Sequence, residues 1–308
     1  MKKRCKALAL LLTLLLLLPT ASACATRDAY GKGGYTFTDS AGNTVTLPQR
    51  PERVAVLFSS FADLWISAGG TVAMTVGESV ERGLVPKDVT VLAEGAGKTP
   101  DAEVVIAAAP DLVLFSADVE GHATCAELLR LAGIPVAELR VESFDDYLTV
   151  LKICTDINGR PDLYESVGLA QKARIDEMIE KKPLAGKRIL FARATAKTVK
   201  AKNSADNFAA TMLSELGAEN IADSAPLLLD GLSVETVLTQ DPDYLIFTAM
   251  GSEEAARAAV DRLLAGEVWG SLSAVQKGRY GFLPKETFHY KPNARWADAY
   301  AYLIELLK

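Results

Sequence analysis

Residues 102–117 (Ala-Glu-Val-Val-Ile-Ala-Ala-Ala-Pro-Asp-Leu-Val-Leu-Phe-Ser-Ala) and 234–249 (Val-Glu-Thr-Val-Leu-Thr-Gln-Asp-Pro-Asp-Tyr-Leu-Ile-Phe-Thr-Ala) align without a gap, sharing Glu, Val, Pro, Asp, Phe and Ala. Each copy reads as a helix that opens near its Glu, stops at Pro-Asp because a pre-proline residue disfavours the α region, and passes straight into a strand. A chain that carries this unit twice folds as two related lobes.

The rest of the sequence supplies the strands and helices such lobes need. Short β-branched runs at Val54–Phe58, Val72–Val76, Leu112–Phe115 and Val136–Leu139 alternate with helical stretches at Phe61–Ala68 and Cys125–Ala132. Alternation of this kind predicts a parallel α/β sheet. A second set follows, with strands at Ile189–Ala192, Tyr244–Phe247 and Tyr280–Leu283 and helices near Phe208–Leu216, Glu253–Ala265 and Ala294–Leu307. Between the sets, Pro161–Lys181 opens with proline in a first helical turn and continues in helix-forming residues. It predicts one long helix joining the lobes, stiff enough to restrict them to a small rocking. Ahead of both sets, Tyr35–Thr38 and Thr44–Leu47 flank a turn-rich cluster and form a hairpin. The expected fold class is therefore α/β, with two Rossmann-like lobes (35–160 and 183–308), a bridging helix (161–182) and a ligand cleft between the lobes.

The N-terminus reads as a targeting segment. Lys2, Lys3 and Arg4 precede an apolar stretch from Ala7 to Leu18, too short for a membrane span, and Pro19 ends it. Thr20-Ala21-Ser22-Ala23-Cys24 resembles the bacterial lipobox, with Ala21 where Leu is commoner. That implies a signal peptide over 1–23, a lipidated Cys24 and a polar, glycine-rich tether over 24–34. A diacyl anchor would hold the mature protein stably to a membrane outside the cytoplasm. Cys125 and Cys154 would then sit in an oxidising compartment, either as a disulfide or as two buried apolar residues on neighbouring helices. A net charge of -6 with no block of like charge gives no electrostatic footprint for nucleic acid.

Several segments carry a family resemblance: Thr38-Asp39 through Gly42, Leu47-Pro48 to Arg53-Val54, Glu103 to Val113, Ala132-Gly133-Ile134-Pro135, Leu216 to Ile221, and Ser233-Val234-Glu235 to Pro242-Asp243. In this order and spacing the chain resembles the iron-siderophore, haem and cobalamin class of periplasmic binding proteins, the substrate-binding components of ABC importers. The resemblance implies a monomer that captures a ferric siderophore, haem or cobalamin and hands it to a membrane permease and its ATPase. It also implies that Glu103 and Glu235, one per lobe, pair with arginines of the permease. The residues alone allow a plainer role for each Glu, as an acid favouring the positive end of a helix dipole.

Ligands of parallel α/β lobes bind at the carboxyl ends of the strands. That rule nominates Phe58, Ser59, Ser60, Glu78, Ser116, Asp118, His122 and Arg140 in the first lobe, and Arg193, Thr195, Thr248, Met250, His289, Tyr290 and Lys291 in the second. His289 and Tyr290 are residue types that ligate haem iron, or they are simply loop residues. Arg140, Arg193 and Lys291 would pair with ligand carboxylates, or lie solvated. Trp65 reads as core, and Asn293 as a cap for the last helix with Trp296 packing behind it.

An enzyme on a related two-lobed fold, with a metal cluster or a chelatase site, is the principal rival. The chain has two histidines, no Cys-x-x-Cys, no His-Glu-x-x-His and no Gly-x-Ser-x-Gly, and Lys98-Thr99 does not complete a phosphate loop. No catalytic set, resident metal or cofactor is expected. A zinc or manganese receptor would need more histidine or clustered carboxylate than the sequence supplies. A receptor for another metal chelate or an oxyanion stays open, and a structural lipoprotein would need no polar cleft.

Overall fold

The computed structural model describes Tyr30 and residues 34–225, 227–230 and 233–308; the leader and Cys24 fall outside that set. β1 (Tyr35–Thr38) and β2 (Thr44–Leu47) form the antiparallel hairpin, its turn closed by Asp39 accepting from the amides of Ala41 and Asn43. The first lobe then runs β3 (Val54–Val56), α1 (Ser59–Ser67), β4 (Met74–Val76), α2 (Gly77–Glu81), β5 (Thr90–Ala93), α3 (Ala102–Ala107), β6 (Leu112–Ser116), α4 (Glu120–Leu131), β7 (Val136–Leu139) and α5 (Phe144–Asn158). Its five strands are parallel, in the order β5-β4-β3-β6-β7.

The link follows as α6 (Pro161–Leu163), a π-helical stretch at Tyr164–Leu169 and α7 (Ala170–Lys181). The single regular helix read from the sequence is thus interrupted by wider turns. Within them Gly168 lies flat against α5, where an added Cβ would come within 2.8 Å of Leu151.

The second lobe contains β8 (Arg188–Ala194), β9 (Val199–Ala201), α8 (Phe208–Glu215), β10 (Glu219–Asn220), α9 (Ile221–Ser224), α10 (Leu227–Asp230), α11 (Val234–Gln240), β11 (Tyr244–Ala249), α12 (Glu253–Leu264), α13 (Glu267–Gly270), α14 (Ser273–Gln276), β12 (Tyr280–Phe282), α15 (Lys285–Phe288) and α16 (Trp296–Leu306). Its parallel strands run β10-β8-β11-β12, and β9 folds back antiparallel on β8. No described helix is long and apolar enough to cross a membrane.

One core is shared across the link. Val54, Trp65, Phe144, Tyr147 and Leu151 from the first lobe are buried in the same cluster as Ile189, Phe191, Phe208, Trp296, Tyr300 and Leu303 from the second. Trp296 sits between them, with ring centroids 5.9 Å from Phe144, 6.3 Å from Tyr147 and 5.8 Å from Phe208. Each lobe keeps a further core on the other face of its sheet.

The repeated unit has the same foot in both lobes. Asp111 accepts from the amides of Glu52 and Arg53 just ahead of β3, while the Arg53 guanidinium donates to the carbonyls of Ala108 and Ala109 at the end of α3. Asp243 accepts from the Arg188 amide at the start of β8, and the Arg188 guanidinium donates to the Gln240 carbonyl at the end of α11. The pre-proline residues Ala109 (φ 49°) and Asp241 (φ 35°) are both left-handed. Each helix therefore ends by reversing into αL at that residue, where the sequence reading had only the exclusion of the α region.

The disulfide does not form: Cys125 and Cys154 are both free and buried. Alternate residues of a strand face opposite sides of a sheet. Cys125 lies in the core with Ala55 and Leu57, whereas Cys154 lies in the one with Val54 and Val56, so the first sheet stands between the two thiols. The helices that carry them, α4 and α5, are accordingly not neighbours on one face.

Candidate ligand-binding cleft

The second lobe brings most of its polar strand-end residues to one place. Arg193 near the end of β8, Thr248 near the end of β11, Asp206, Asn207 and Phe208 at the start of α8, and Phe288, His289 and Lys291 around the end of α15 line a cavity of about 280 Å³. The first lobe closes it with Glu142, which follows β7. Asn207 caps α8 by accepting from the amides of Ala209 and Ala210, so the positive end of that helix faces the cavity.

The electrostatics of this wall favour an anion. Among the described residues the Arg193 guanidinium makes no hydrogen bond or ion pair, and the buried Thr248 hydroxyl has no partner. Lys291 Nζ reaches Glu142 at 2.9 Å. His289 is held neutral: burial, with Lys285, Arg193 and Lys98 adding positive charge and Glu78 opposing them, pushes its pKa down to about 4. A neutral imidazole can donate to or accept from a ligand without carrying charge itself.

The first lobe's rim is paired in part within the lobe and in part across to the second, where Arg82 Nε, which has no hydrogen-bond partner, stands 3.6 Å from Glu286. Ser59 donates to Glu78 and accepts from Arg82, and Arg140 pairs with Asp118 at 2.5 Å. A hinge-side latch joins this rim to the second lobe. Tyr290 lies under the Arg82 guanidinium, 3.8 Å from its centroid, with its hydroxyl 3.5 Å from Glu78. Burial and the Glu78 charge push that phenol up to about 12. The Lys291 amide donates to the Ser60 hydroxyl, and Asn293 Nδ2 donates to the Ser60 carbonyl and to Asp63, both at 2.9 Å. Asn293 therefore ties the lobes together and does not cap α16, and its positive φ of 51° suits a residue that tolerates αL.

The family model for the periplasmic binding proteins matches residues 54–287. The chain belongs to that family. It is similar to the putative ABC transporter substrate-binding lipoprotein YhfQ of Bacillus subtilis, 21% identical over 94% of both chains. It is also similar to the Fe(3+) dicitrate-binding periplasmic protein FecB of Escherichia coli, 22% identical over 89% of this chain and 87% of the relative. Among solved structures, the periplasmic heme-binding protein RhuT of Roseiflexus sp. RS-1 shares the fold with a TM-score of 0.68 at 18% identity, over 83% of this chain and 97% of that one.

Not every strand-end residue reaches the cleft of this periplasmic binding protein. His122 is fully buried, which is the correction the structure makes most clearly: its Nδ1 accepts from the Ser116 amide at 3.0 Å, so Nε2 carries the proton and donates to the Gly97 carbonyl at 2.8 Å. Burial lowers its pKa against those two bonds. It ties the end of β6 to the loop after β5. Ser116 is buried too and accepts from the Asp118 amide, so its hydroxyl is spent on its own turn. Phe58 packs on Phe61 and edges His122. Thr195 closes a turn with Lys197 and Thr198, and Met250 is exposed beyond the end of β11; neither lines the cavity.

Sequence reasoning missed Glu142, Asn207, Arg82, Lys98 and Lys285. Two had a legible signal: Asn207 precedes the apolar start of α8 as an N-cap should, and Glu142 lies just past the end of β7, within the strand-end rule. Arg82, just past the end of α2, meets Tyr290 and Glu286 of the other lobe, a contact that no local pattern announces.

Proposed function

We propose that this chain is the extracytoplasmic substrate-binding component of an ABC importer and that its cargo is a small ferric chelate bearing carboxylates, of the ferric citrate kind. The observation that carries the reading is the unpaired Arg193 beside the unpartnered Thr248 hydroxyl in a cavity of about 280 Å³, facing the positive end of α8. A guanidinium fork matches a carboxylate bidentately, and Arg193, half-buried and with no ion-pair partner among the described residues, favours binding an anion there. The cavity is at the small end for ligand sites, roughly 300 to 1,000 Å³, and its lining is mostly polar, which disfavours a macrocycle as broad and apolar as haem or a corrinoid. FecB, over most of its length a relative, is named for binding Fe(3+) dicitrate.

In this reading Glu103 and Glu235 are the permease contacts. Each stands exposed in the first turn of its helix, α3 or α11, behind a capping Asp101 or Ser233, and neither carboxylate has an ion-pair partner among the described residues. Both helices begin on the strand-end edge, the same edge as the cleft. Lipidation at Cys24 would hold the protein beside its permease, as the lipoprotein name of YhfQ supports.

Calorimetric titration of the chain from Ala25 onward with ferric citrate, a hydroxamate ferric siderophore, haemin and cobalamin tests the cargo. Saturable binding of ferric citrate alone is the expected outcome; preference for haemin or cobalamin would overturn the ligand class while leaving the importer role in place.

A further inference from the structure

The cleft already contains two carboxylates, of which Asp206 pairs with Lys202 of its own lobe at 3.1 Å and Glu142 reaches across from the other. Glu142 extends from the first lobe into the cavity and meets Lys291 Nζ of the second at 2.9 Å, with the lysine side chain only 16% exposed and the glutamate 48%. Lys291 has little freedom to turn elsewhere: its ammonium lies 4.7 Å from the Phe208 ring centroid and its amide is bonded to Ser60. Arg193, on the same cavity, has no such partner among the described residues.

We infer that Glu142 is an internal competitor for the ligand, a tethered carboxylate that occupies Lys291 and sets how strongly a carboxylate chelate must bind to enter the cleft. The inference rests on the anionic-chelate reading above. An incoming carboxylate meets two different cations. At Arg193 it finds a free fork; at Lys291 it must displace Glu142 or accept its repulsion. A ligand with one carboxylate gains only the first contact. A chelate that presents several carboxylates around a metal can satisfy Arg193 and still exchange with Glu142 at Lys291. Glu142 thereby discriminates against single small anions and in favour of multivalent ones, a repulsive element of the kind that specificity requires. Because the same bond joins the two lobes, its exchange for a ligand bond keeps the cleft bridged on both sides.

The test is a binding cycle by calorimetry with ferric citrate and with acetate as probes, on the wild type, Glu142→Gln, Lys291→Gln and the double variant. Glutamine preserves the shape of residue 142, and circular dichroism with thermal melting checks that each variant folds. A partly exposed ion pair is worth up to about 1 kcal/mol, so Glu142→Gln should tighten ferric citrate about threefold to fivefold. The gain for acetate should be proportionally larger, and both gains should shrink when Lys291 is already glutamine, leaving only the relief of Glu142's own repulsion. Equal binding by wild type and Glu142→Gln overturns this inference and leaves the ligand class intact. Weaker binding by Glu142→Gln overturns it as well, by making Glu142 a ligand contact. Silence of both proteins toward ferric citrate overturns the ligand class and the inference together.

Discussion

The two lobes have nearly the same foot and quite different rims. At the foot, an arginine ahead of the first long strand and an aspartate after the proline clamp helix to strand in both: Arg53 with Asp111, and Arg188 with Asp243. At the rim, the first lobe's arginines have carboxylate partners, Arg140 with Asp118 and Arg82 with Glu286 of the second lobe, whereas the second leaves Arg193 without one and the Thr248 hydroxyl without a hydrogen bond, beside a neutral His289. The foot decides that the element forms, so the same residues serve in both copies. The rim varies where the foot does not, and there the copies differ in which polar groups are left free.

The strongest challenge to the equivalence of the two copies is charge reversal at their matched glutamates. Glu103→Arg and Glu235→Arg together should abolish uptake of labelled ferric citrate in cells, with Kd for the purified protein changed by less than about twofold, since both sites are exposed and outside the cavity. Loss of uptake from one reversal and not from the other would show that only one copy docks. A weakened Kd would move the glutamates into the cleft.

The rim contrast is tested by two arginines. Arg193→Ala should weaken ferric citrate about tenfold to a hundredfold, the loss of a hydrogen-bonded charge contact worth roughly 1.5–3 kcal/mol. Arg140→Ala should change it by less than about threefold, because that guanidinium is held by Asp118 on an exposed wall. Calorimetry on both variants settles the pair, and comparable losses would dissolve the distinction between the two walls.

The smallest effect separates the left-handed residues before the two prolines. Ala109→Gly should stabilise the protein by about 1 kcal/mol in urea unfolding, because glycine adopts a positive φ without the cost to Cβ. Asp241→Gly should instead destabilise it, since Asp241 accepts from the Ser273 amide and hydroxyl. A gain from both would mean that the Ser273 contacts contribute nothing.

Legibility in the sequence followed the same division. The hairpin, the β3, β6, β7, β8, β11 and β12 strands and the duplicated unit were readable because each rests on local periodicity or on the fixed backbone of proline. α5 was missed although Ser143 and Asp146 form a capping box at its start, because its tyrosine, threonine, valine and isoleucine dilute the helical pattern. The short edge strand β5 was missed because only Leu92 of its four residues is buried, leaving little hydrophobic contrast. In the cleft, the strand-end rule reached Arg193, Thr248, His289 and Lys291, since strand order alone fixes where they lie. It also drew in His122, because it names a region and cannot say which side chains turn inward. The Lys291–Glu142 bond joins residues from different lobes, and nothing near either residue in the sequence announces it.

The position of Trp296 has a consequence for how the molecule is made. It lies in the last helix, yet it seals Phe144 and Tyr147 of the first lobe. The lobe synthesised first thus keeps an open aromatic seam until the final stretch of chain arrives, and a product ending before α16 would expose that seam as well as its own end. The two halves should accordingly melt in one cooperative transition, and neither should persist as a folded fragment.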